Sequence, residues 1–271
     1  MSEPALGLLA GGGELPSYLL TALKARGRRV AVIGFRGETA EGLLAEADER
    51  LTIEAGEWKK GLEFFRRHGV REALMAGYVA HTHIYRKESM ETADSVAMSF
   101  LRFLRDRRAD SLLGTVAWVL RRNGIRLVSS MPYLKPLMLD KGVRTRRPPT
   151  EMEWKDIRFG HRIAKKIAGL DVGQTVVVKN LAVVAVESLE GTDAAIRRAG
   201  EVGGPGTVVV KVAKPRQDFR FDVPVIGKKT VESLRAAGAA VLAVEAGKTI
   251  AMEREDTIKL ADQAGIALVA L

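Results

Sequence analysis

The residues best suited to chemistry gather in one stretch, Lys214 to Gly227, reading KPRQDFRFDVPVIG. Asp218 and Asp222 supply carboxylates, Lys214 and Arg220 supply positive charge, Gln217 adds an amide, and Pro215 and Pro224 bracket the group. Carboxylates beside cations suit work on a phosphoanhydride. The acid holds a hard cation such as Mg²⁺ or activates water, while basic side chains neutralise the phosphate oxygens. Read as extended chain, the stretch sends Asp218, Arg220 and Asp222 to one face and Phe219 and Phe221 to the other, as apolar anchors. Extension would also separate the two aspartates by roughly 13 Å at ~3.3 Å per residue, too far to share one ion. One is then expected to bind the metal with acids from elsewhere, and the other to orient an arginine or water. The plainer account is a salt-bridged loop.

A second cluster, VESLEGTDAAIRR, places Glu187, Glu190, Asp193, Arg197 and Arg198 around a Gly191–Thr192 helix start. Glu190 and Asp193 fall at the positive end of that helix and are the candidate metal partners of Asp222. Thr192 offers a hydroxyl and an amide to a phosphate, and Arg198 a charge. A well-capped helix with an Asp193–Arg197 pair one turn apart explains the same residues. A third feature, AGGGELP, joins a first strand to a first helix. Gly11, Gly12 and Gly13 would let backbone amides approach a phosphate at a helix N-terminus. Pro16 stands where a dinucleotide fingerprint puts its third glycine, and no acid ends the next strand, RVAVIGF, so a nicotinamide site is disfavoured. His81 and His83, in HTH, would share a side if extended, but with no third ligand nearby they read as polar residues at a strand end.

The elements that must position these residues follow from apolar patterning. ALGLLA, the glycine turn, SYLLTALKARG and RVAVIGF form a β–α–β unit with a right-handed crossover. The helix GLEFFRRHG, the strand EALMAGYV, the helix SLLGTVAWVLRRNG and the strand IRLVSS continue it, predicting a Rossmann-like parallel sheet over residues 1–130. Residues 131–150 hold four prolines and a basic run without period, and are read as a linker. Residues 151–271 then form a second, mixed α/β domain carrying the catalytic motifs. In it TVVVKNLAVVAVE is a hairpin turning at Lys179–Asn180, GTDAAIRRAG a helix capped by Thr192 or Asp193, and TVVVKVAK a strand running into KPRQDFRFD. A helix from Thr230, the strands AAVLAVEAG and TIAM, the helix EDTIKLADQAG and the strand IALVAL complete the domain.

Composition bounds the function. A chain of 271 residues with 46% hydrophobic and 28% charged residues is globular and long enough for two domains. Zero cysteines exclude disulfides, thiolate zinc sites and a cysteine nucleophile, and four histidines leave metal chemistry to oxygen ligands. The net charge of +10 favours an anionic partner: nucleic acid, an acidic membrane face or a phosphorylated substrate. Solvated basic helix faces are the bland alternative, although basic residues do cluster at 102–108, 121–122 and 141–149. No run approaches the ~18 apolar residues of a membrane-spanning helix. The first apolar run lacks a preceding basic segment and reads as a strand, so a cytoplasmic protein is expected.

AGGGELP, LDVGQTVVVKN, AVESLEGTDAAIRR and KPRQDFRFDVPVIG, in this order and at these separations, resemble the UDP-2,3-diacylglucosamine pyrophosphatases of the LpxI type. The resemblance spans essentially the whole chain and is densest from Trp154 to Gly227. It implies two domains with a substrate site between them, and Mg²⁺-dependent hydrolysis of UDP-2,3-diacylglucosamine to lipid X (2,3-diacylglucosamine 1-phosphate) and UMP, a step of lipid A synthesis in Gram-negative bacteria. It further implies that water attacks the phosphorus nearer the sugar and that an aspartate of QDFRFD is essential, Asp222 being the first candidate and Asp218 the second. GYVAHTHIY departs from the pattern, since a basic residue is more familiar after the valine than Ala80–His81. A diacylated substrate partitions into membrane, so peripheral attraction of a basic protein to the anionic inner face is expected. A homodimer is compatible with the sequence, but no feature indicates it.

Two other classes compete. Charge alone would allow a non-catalytic nucleotide or nucleic-acid binding protein, yet no recognisable RNA- or DNA-binding signature occurs and the aromatics, only 6%, form no stacking pattern beside the arginines, so no nucleic-acid partner is expected. An oxidoreductase built on the N-terminal sheet would have to bind a nicotinamide cofactor.

Overall fold

The computed structural model describes residues 4–79, 93–103, 109–221 and 223–271, with backbone alone for 100–103 and 109–110. Two units emerge, one of Met1–Tyr133 with Asp218–Asp222, the other of Leu134–Gln217 with Val223–Leu271.

In the N-terminal unit, Leu6–Ala10 (β1) and Val30–Phe35 (β2) are buried along their whole lengths. Continuous apolar runs of this kind mark strands covered on both faces. They lie inside a parallel sheet of order β3-β2-β1-β4-β5, completed by Glu49–Ile53 (β3), Glu72–Ala76 (β4) and Arg126–Leu127 (β5). Leu15–Lys24 (α1), Glu41–Glu46 (α2) and Trp58–Arg67 (α3) alternate with the strands, and Ser95–Phe103 (α4) and Ala109–Arg122 (α5) both lie between β4 and β5. The Rossmann-like expectation is met. α2 and β3 escaped the pattern because β3, at the sheet edge, mixes Glu49, Arg50 and Thr52 with only two apolar residues.

The C-terminal unit holds a six-stranded sheet of order β6-β13-β11-β9-β7-β8. Its strands are Gly142–Val143 (β6), Thr175–Lys179 (β7), Ala182–Val186 (β8), Val208–Lys211 (β9), Val241–Val244 (β11) and Ala267–Ala270 (β13). β9, β11 and β13 are parallel, whereas β7 is antiparallel to both β8 and β9, and β6 to β13. Val225–Ile226 (β10) and Ile250–Ala251 (β12) form a separate parallel pair. The short helix Met131–Leu134 (α6) straddles the division of the chain, and the helices of the C-terminal unit are Glu151–Gly169 (α7), Thr192–Gly203 (α8), Lys228–Ala236 (α9) and Arg254–Gln263 (α10). α7 is set by a capping box, Glu153 N–H donating to Thr150 Oγ1 at 3.2 Å and Thr150 N–H to Glu153 Oε2 at 2.7 Å. It packs closely over the sheet at Gly160, where a Cβ would stand 2.8 Å from Val210 Cγ2.

Three expectations are corrected here. The 131–150 stretch is not a loose linker: β6 pairs with β13, Leu268 N–H donates to Thr145 Oγ1 at 2.9 Å, and Arg147 binds Glu153 through two bonds of 2.9 and 3.1 Å. A two-residue edge strand carries no readable period. The α8 cap is Gly191, at φ 83°, without a side-chain bond, rather than Thr192 or Asp193. The hairpin forms as expected but turns one residue later, at Asn180 and Leu181, with φ of 51° and 61°.

Two successive left-handed residues define the tight hairpin turn that matches strand twist, and such φ values strain a leucine. The compensation is Asp156, a buried carboxylate on α7 that accepts the Asn180 amide at 2.9 Å and the Leu181 amide at 2.6 Å. Replacing Asp156 by Ala strands both amides. The expected cost is about 2–3 kcal/mol, read as a lowered urea midpoint of the C-terminal unit.

Candidate active site

In an open α/β sheet, the carboxyl ends of parallel strands form the edge where ligands bind. In the C-terminal unit that edge is made by β9, β11 and β13, and β9 runs directly into Lys214–Gln217. Glu245 follows the last residue of β11 and is 7% exposed. Its Oε2 accepts the Ala213 amide at 2.7 Å, and both of its oxygens accept from Lys165 Nζ at 3.1 Å. Lys165 also donates to the Ala213 carbonyl at 2.6 Å. His161 Nε2 and Lys248 Nζ each stand 3.5 Å from Glu245 Oε1. Burial opposes ionisation of Glu245, but the Lys165 hydrogen bond, the Ala213 amide and the charges of Lys165 and Lys248 outweigh it and hold the carboxyl below its ordinary range.

The turn beyond Ala213 is fixed by its own residues. Lys214 N–H donates to Gln217 Oε1 at 2.8 Å, and Gln217 N–H returns to the Lys214 carbonyl at 3.1 Å. The Lys214 ammonium is ion-paired with Asp171, the two side chains being only 9% and 11% exposed. Asp171 itself is left-handed, at φ 57°. Next to it Gly173 admits no side chain, because a Cβ would meet the Glu187 carbonyl oxygen at 2.0 Å.

Helix α8 joins the same edge through Thr192. Lys211 Nζ, at the end of β9, donates to Thr192 Oγ1 at 3.0 Å, and that hydroxyl donates to Glu187 Oε1 at 2.8 Å. The VESLEGTDAAIRR motif is thereby tied to the end of β9, three residues before KPRQDFRFD begins. Glu190 pairs with Arg198 at 3.0 Å, and Arg198 also donates to the Val186 carbonyl at 2.7 Å. Asp193 meets Lys229 at 3.8 Å, the ion pair expected with Arg197 being made with α9 instead. The candidate metal ligands Glu190 and Asp193 are thus each engaged by a different cation. Among the described residues no group of three His, Asp or Glu side chains is placed to hold a metal ion.

Asp218–Phe221 belongs to the N-terminal unit and is turned, not extended. Phe221 N–H donates to the Asp218 carbonyl at 3.0 Å. The cause is Asp218, whose carboxylate captures the Arg220 amide at 3.0 Å and its guanidinium at 2.6–3.1 Å. These bonds hold the Asp218 carboxyl below its ordinary range against a smaller burial effect, and raise Arg220 in return. The separation inferred from an extended strand accordingly lapses. Asp222 lies outside the described residues, as do His81 and His83. The anchoring role holds for Phe221, which packs on the N-terminal core with the Arg220 guanidinium 4.9 Å from its ring centroid. Phe219 is half-buried, its carbonyl accepting from the Ser129 hydroxyl at 3.3 Å.

The glycine turn is corrected as well. Gly11 and Gly12 donate their amides to the carbonyls of Ala76 and Tyr78, at 2.8 and 2.7 Å, so those amides are spent within the fold rather than offered to a phosphate. A Cβ on Gly11 would stand 2.3 Å from the Tyr78 carbonyl oxygen, and this close approach explains the glycine. Gly13 is exposed and left-handed, at φ 88°.

Sequence reasoning missed Lys165, Asp171, Lys211 and Glu245. Glu245 had a signal, a lone acid ending the apolar run AVLAV; Lys165 had none, standing among the basic residues of a long helix.

A family model described as the LpxI N-terminal domain matches residues 5–137, and one described as the LpxI C-terminal domain matches 140–269. A relative from Caulobacter vibrioides named UDP-2,3-diacylglucosamine pyrophosphatase LpxI is 30% identical over 269 residues, covering 96% of this chain and 95% of its own. Among solved structures, the biotin carboxylase subunit of pyruvate carboxylase aligns at 12% identity and a TM-score of 0.23, over 74% of this chain and 43% of that one. The biotin carboxylase domain of Hydrogenobacter thermophilus 2-oxoglutarate carboxylase aligns at 14% identity and a TM-score of 0.22, over 73% and 41%. The chain spans less than half the length of either.

The depressed Glu245 carboxyl fixes the sign of a pH effect. Its stabilisation is complete above the ordinary value of 4.5 and is lost as pH falls through the lower folded value. The urea midpoint of the wild type is expected to drop more steeply as pH falls below the ordinary value of 4.5 than that of Glu245→Gln, which has no such proton to gain.

Proposed function

The chain belongs to the LpxI family, and from that membership we propose that it hydrolyses the diphosphate of UDP-2,3-diacylglucosamine to lipid X and UMP in lipid A synthesis. The match of both LpxI domains, end to end, carries this reading. The mixed sheet supports it by gathering cationic and carboxylate side chains at the end of β9, the strand that leads into KPRQDFRFD.

In the reaction, water adds to the phosphorus attached to the sugar, and the bond from that phosphorus to the bridging oxygen breaks. UMP departs with the bridging oxygen and its electron pair, while the proton of water passes to a carboxylate. Asp222 is the first candidate for that acid and Asp218 the second. Arg198, Arg220 and Lys214 are the candidate phosphate partners, with Thr192 and Gln217 as hydrogen-bonding groups. Each cation already holds a carboxylate, namely Glu190, Asp218 and Asp171; a diphosphate would bind the two open arginines by competing with their acids and meet Lys214 with its buried pair to Asp171 intact.

The proposal includes a divalent cation, Mg²⁺ by preference. The described residues do not by themselves form a cage for it, since Glu190, Asp193 and Asp218 are committed to Arg198, Lys229 and Arg220. Mg²⁺ commonly takes one or two carboxylates together with substrate phosphates, and when bound it would polarise a phosphoryl oxygen. A cytoplasmic station, peripheral on the inner membrane face, also belongs to the proposal. The charge of +10 favours anionic lipid, and no helix among the described residues is long and apolar enough to cross a membrane.

Purified protein given UDP-2,3-diacylglucosamine is expected to release UMP and lipid X in equal amounts with Mg²⁺, and neither with chelator. In ¹⁸O-water the label should enter lipid X and not UMP. Asp222→Ala is expected to lower the rate by about 10²–10⁴-fold while substrate still binds. Metal-independent release, or label in UMP, would remove those parts of the proposal, and absence of turnover would remove the whole.

A further inference from the structure

We propose that Glu245 and Lys165 are positioning residues for this hydrolysis, clamping the Ala213 backbone and so directing the chain into Lys214 and Gln217. The inference rests on the functional reading above, because that reading makes the Lys214–Asp222 segment the catalytic one.

The clamp acts on both peptide groups that flank the Ala213 Cα. Glu245 Oε2 accepts its N–H at 2.7 Å, and Lys165 Nζ donates to its carbonyl at 2.6 Å. The same ammonium binds both oxygens of Glu245 at 3.1 Å, which closes the arrangement into one hydrogen-bonded unit. Holding the two peptide planes on either side of one Cα fixes its φ and ψ, and with them the direction in which Lys214 leaves the sheet. One residue earlier, Val212 N–H still donates across to the Gln174 carbonyl at 2.9 Å. One residue later, Lys214 and Gln217 close their own turn. Ala213 is thus the point where regular strand hands over to the motif, and a buried side-chain pair secures it there.

Stability alone is a poor reason for this pair. Side-chain exposures of 9% for Glu245 and 24% for Lys165 mean that both charges lose solvation, and apolar substitutes of like volume often stabilise as well or better. What an apolar pair cannot do is grip an N–H and a C=O at once. His161 and Lys248 also face the Glu245 carboxylate, each at 3.5 Å, but from side chains that are 34% and 49% exposed. Neither of these two contacts is to Ala213, which makes Lys248 a suitable control.

The test is steady-state kinetics on folded variants, with UDP-2,3-diacylglucosamine and release of UMP as readout. Glu245→Ala and Lys165→Met are each expected to lower kcat at least tenfold with KM changed less than threefold, and the double variant to lose no more than the worse single one. Lys165→Arg, which keeps charge and donors, should recover part of kcat, and Lys248→Ala should stay within twofold of wild type. A kcat within twofold of wild type in both single variants overturns the inference, as does multiplication of the two losses in the double variant. If neither variant folds, Glu245→Gln and Lys165→Arg carry the comparison, with amide exchange over residues 212–217 as readout. Exchange there should rise at least tenfold in Glu245→Gln while that of β7 and β11 stays unchanged; equal protection overturns the inference. Should the wild type release no UMP, the functional reading fails, and the same exchange measurement still decides whether the clamp holds the segment.

Discussion

The arrangement at the candidate site depends on the parallel register of β9 against β11, in which Val208 pairs with Val241 and Lys211 with Val244. Continued one step, that register sets Glu245 abreast of Val212 and within reach of the Ala213 amide. Val208, Val209, Val210, Val241, Leu242 and Val244 are all essentially unexposed, and each such burial stabilises by about 1.5–3 kcal/mol. That is enough to fix the register against the cost of placing a carboxylate and an ammonium at the strand ends. A slip of β9 by one residue would turn its valines to the opposite face. It would also carry Glu245 away from Ala213 and leave a buried charge without its partners. The apolar middle of the sheet and the polar chemistry at its edge are thus two consequences of one alignment.

Much of this framework was legible in sequence. The buried strands read as unbroken apolar runs, the glycine-ended helices read from their periodicity, and the Asn180 hairpin read from its turn residue. Two unread strands share a physical cause: β3 and β6 lie at sheet edges, too polar or too short for a pattern to rise above the surrounding chain. The site was legible in composition but not in geometry. Alternation in QDFRFD suggested an extended strand, and the local bonds from Asp218 to Arg220 overrode it, as short polar side chains do when they can reach their own backbone. Nor could sequence show that the Gly11 and Gly12 amides are spent on Ala76 and Tyr78, because that pairing is between strand ends far apart in the chain.

The ion pairs around the motifs are unequal, and the inequality bears on how an anionic ligand would be received. Arg220 with Asp218 has side chains 47% and 36% exposed, and Arg198 with Glu190 has 50% and 31%. Pairs this open contribute little, at most about 1 kcal/mol, so either arginine can exchange its carboxylate for another anion at small cost. Lys214 with Asp171 is another matter, at 9% and 11%. Opening a pair that deep strands a charge away from water, at a cost of several kcal/mol. Lys214 therefore acts as a fixed charge at the root of the motif, held by Asp171 from the side and by the Ala213 clamp through the backbone. The two arginines are the cations free to change partners. Depth of burial thus sorts these pairs, Lys214–Asp171 being closed to exchange and the two arginine pairs open to it.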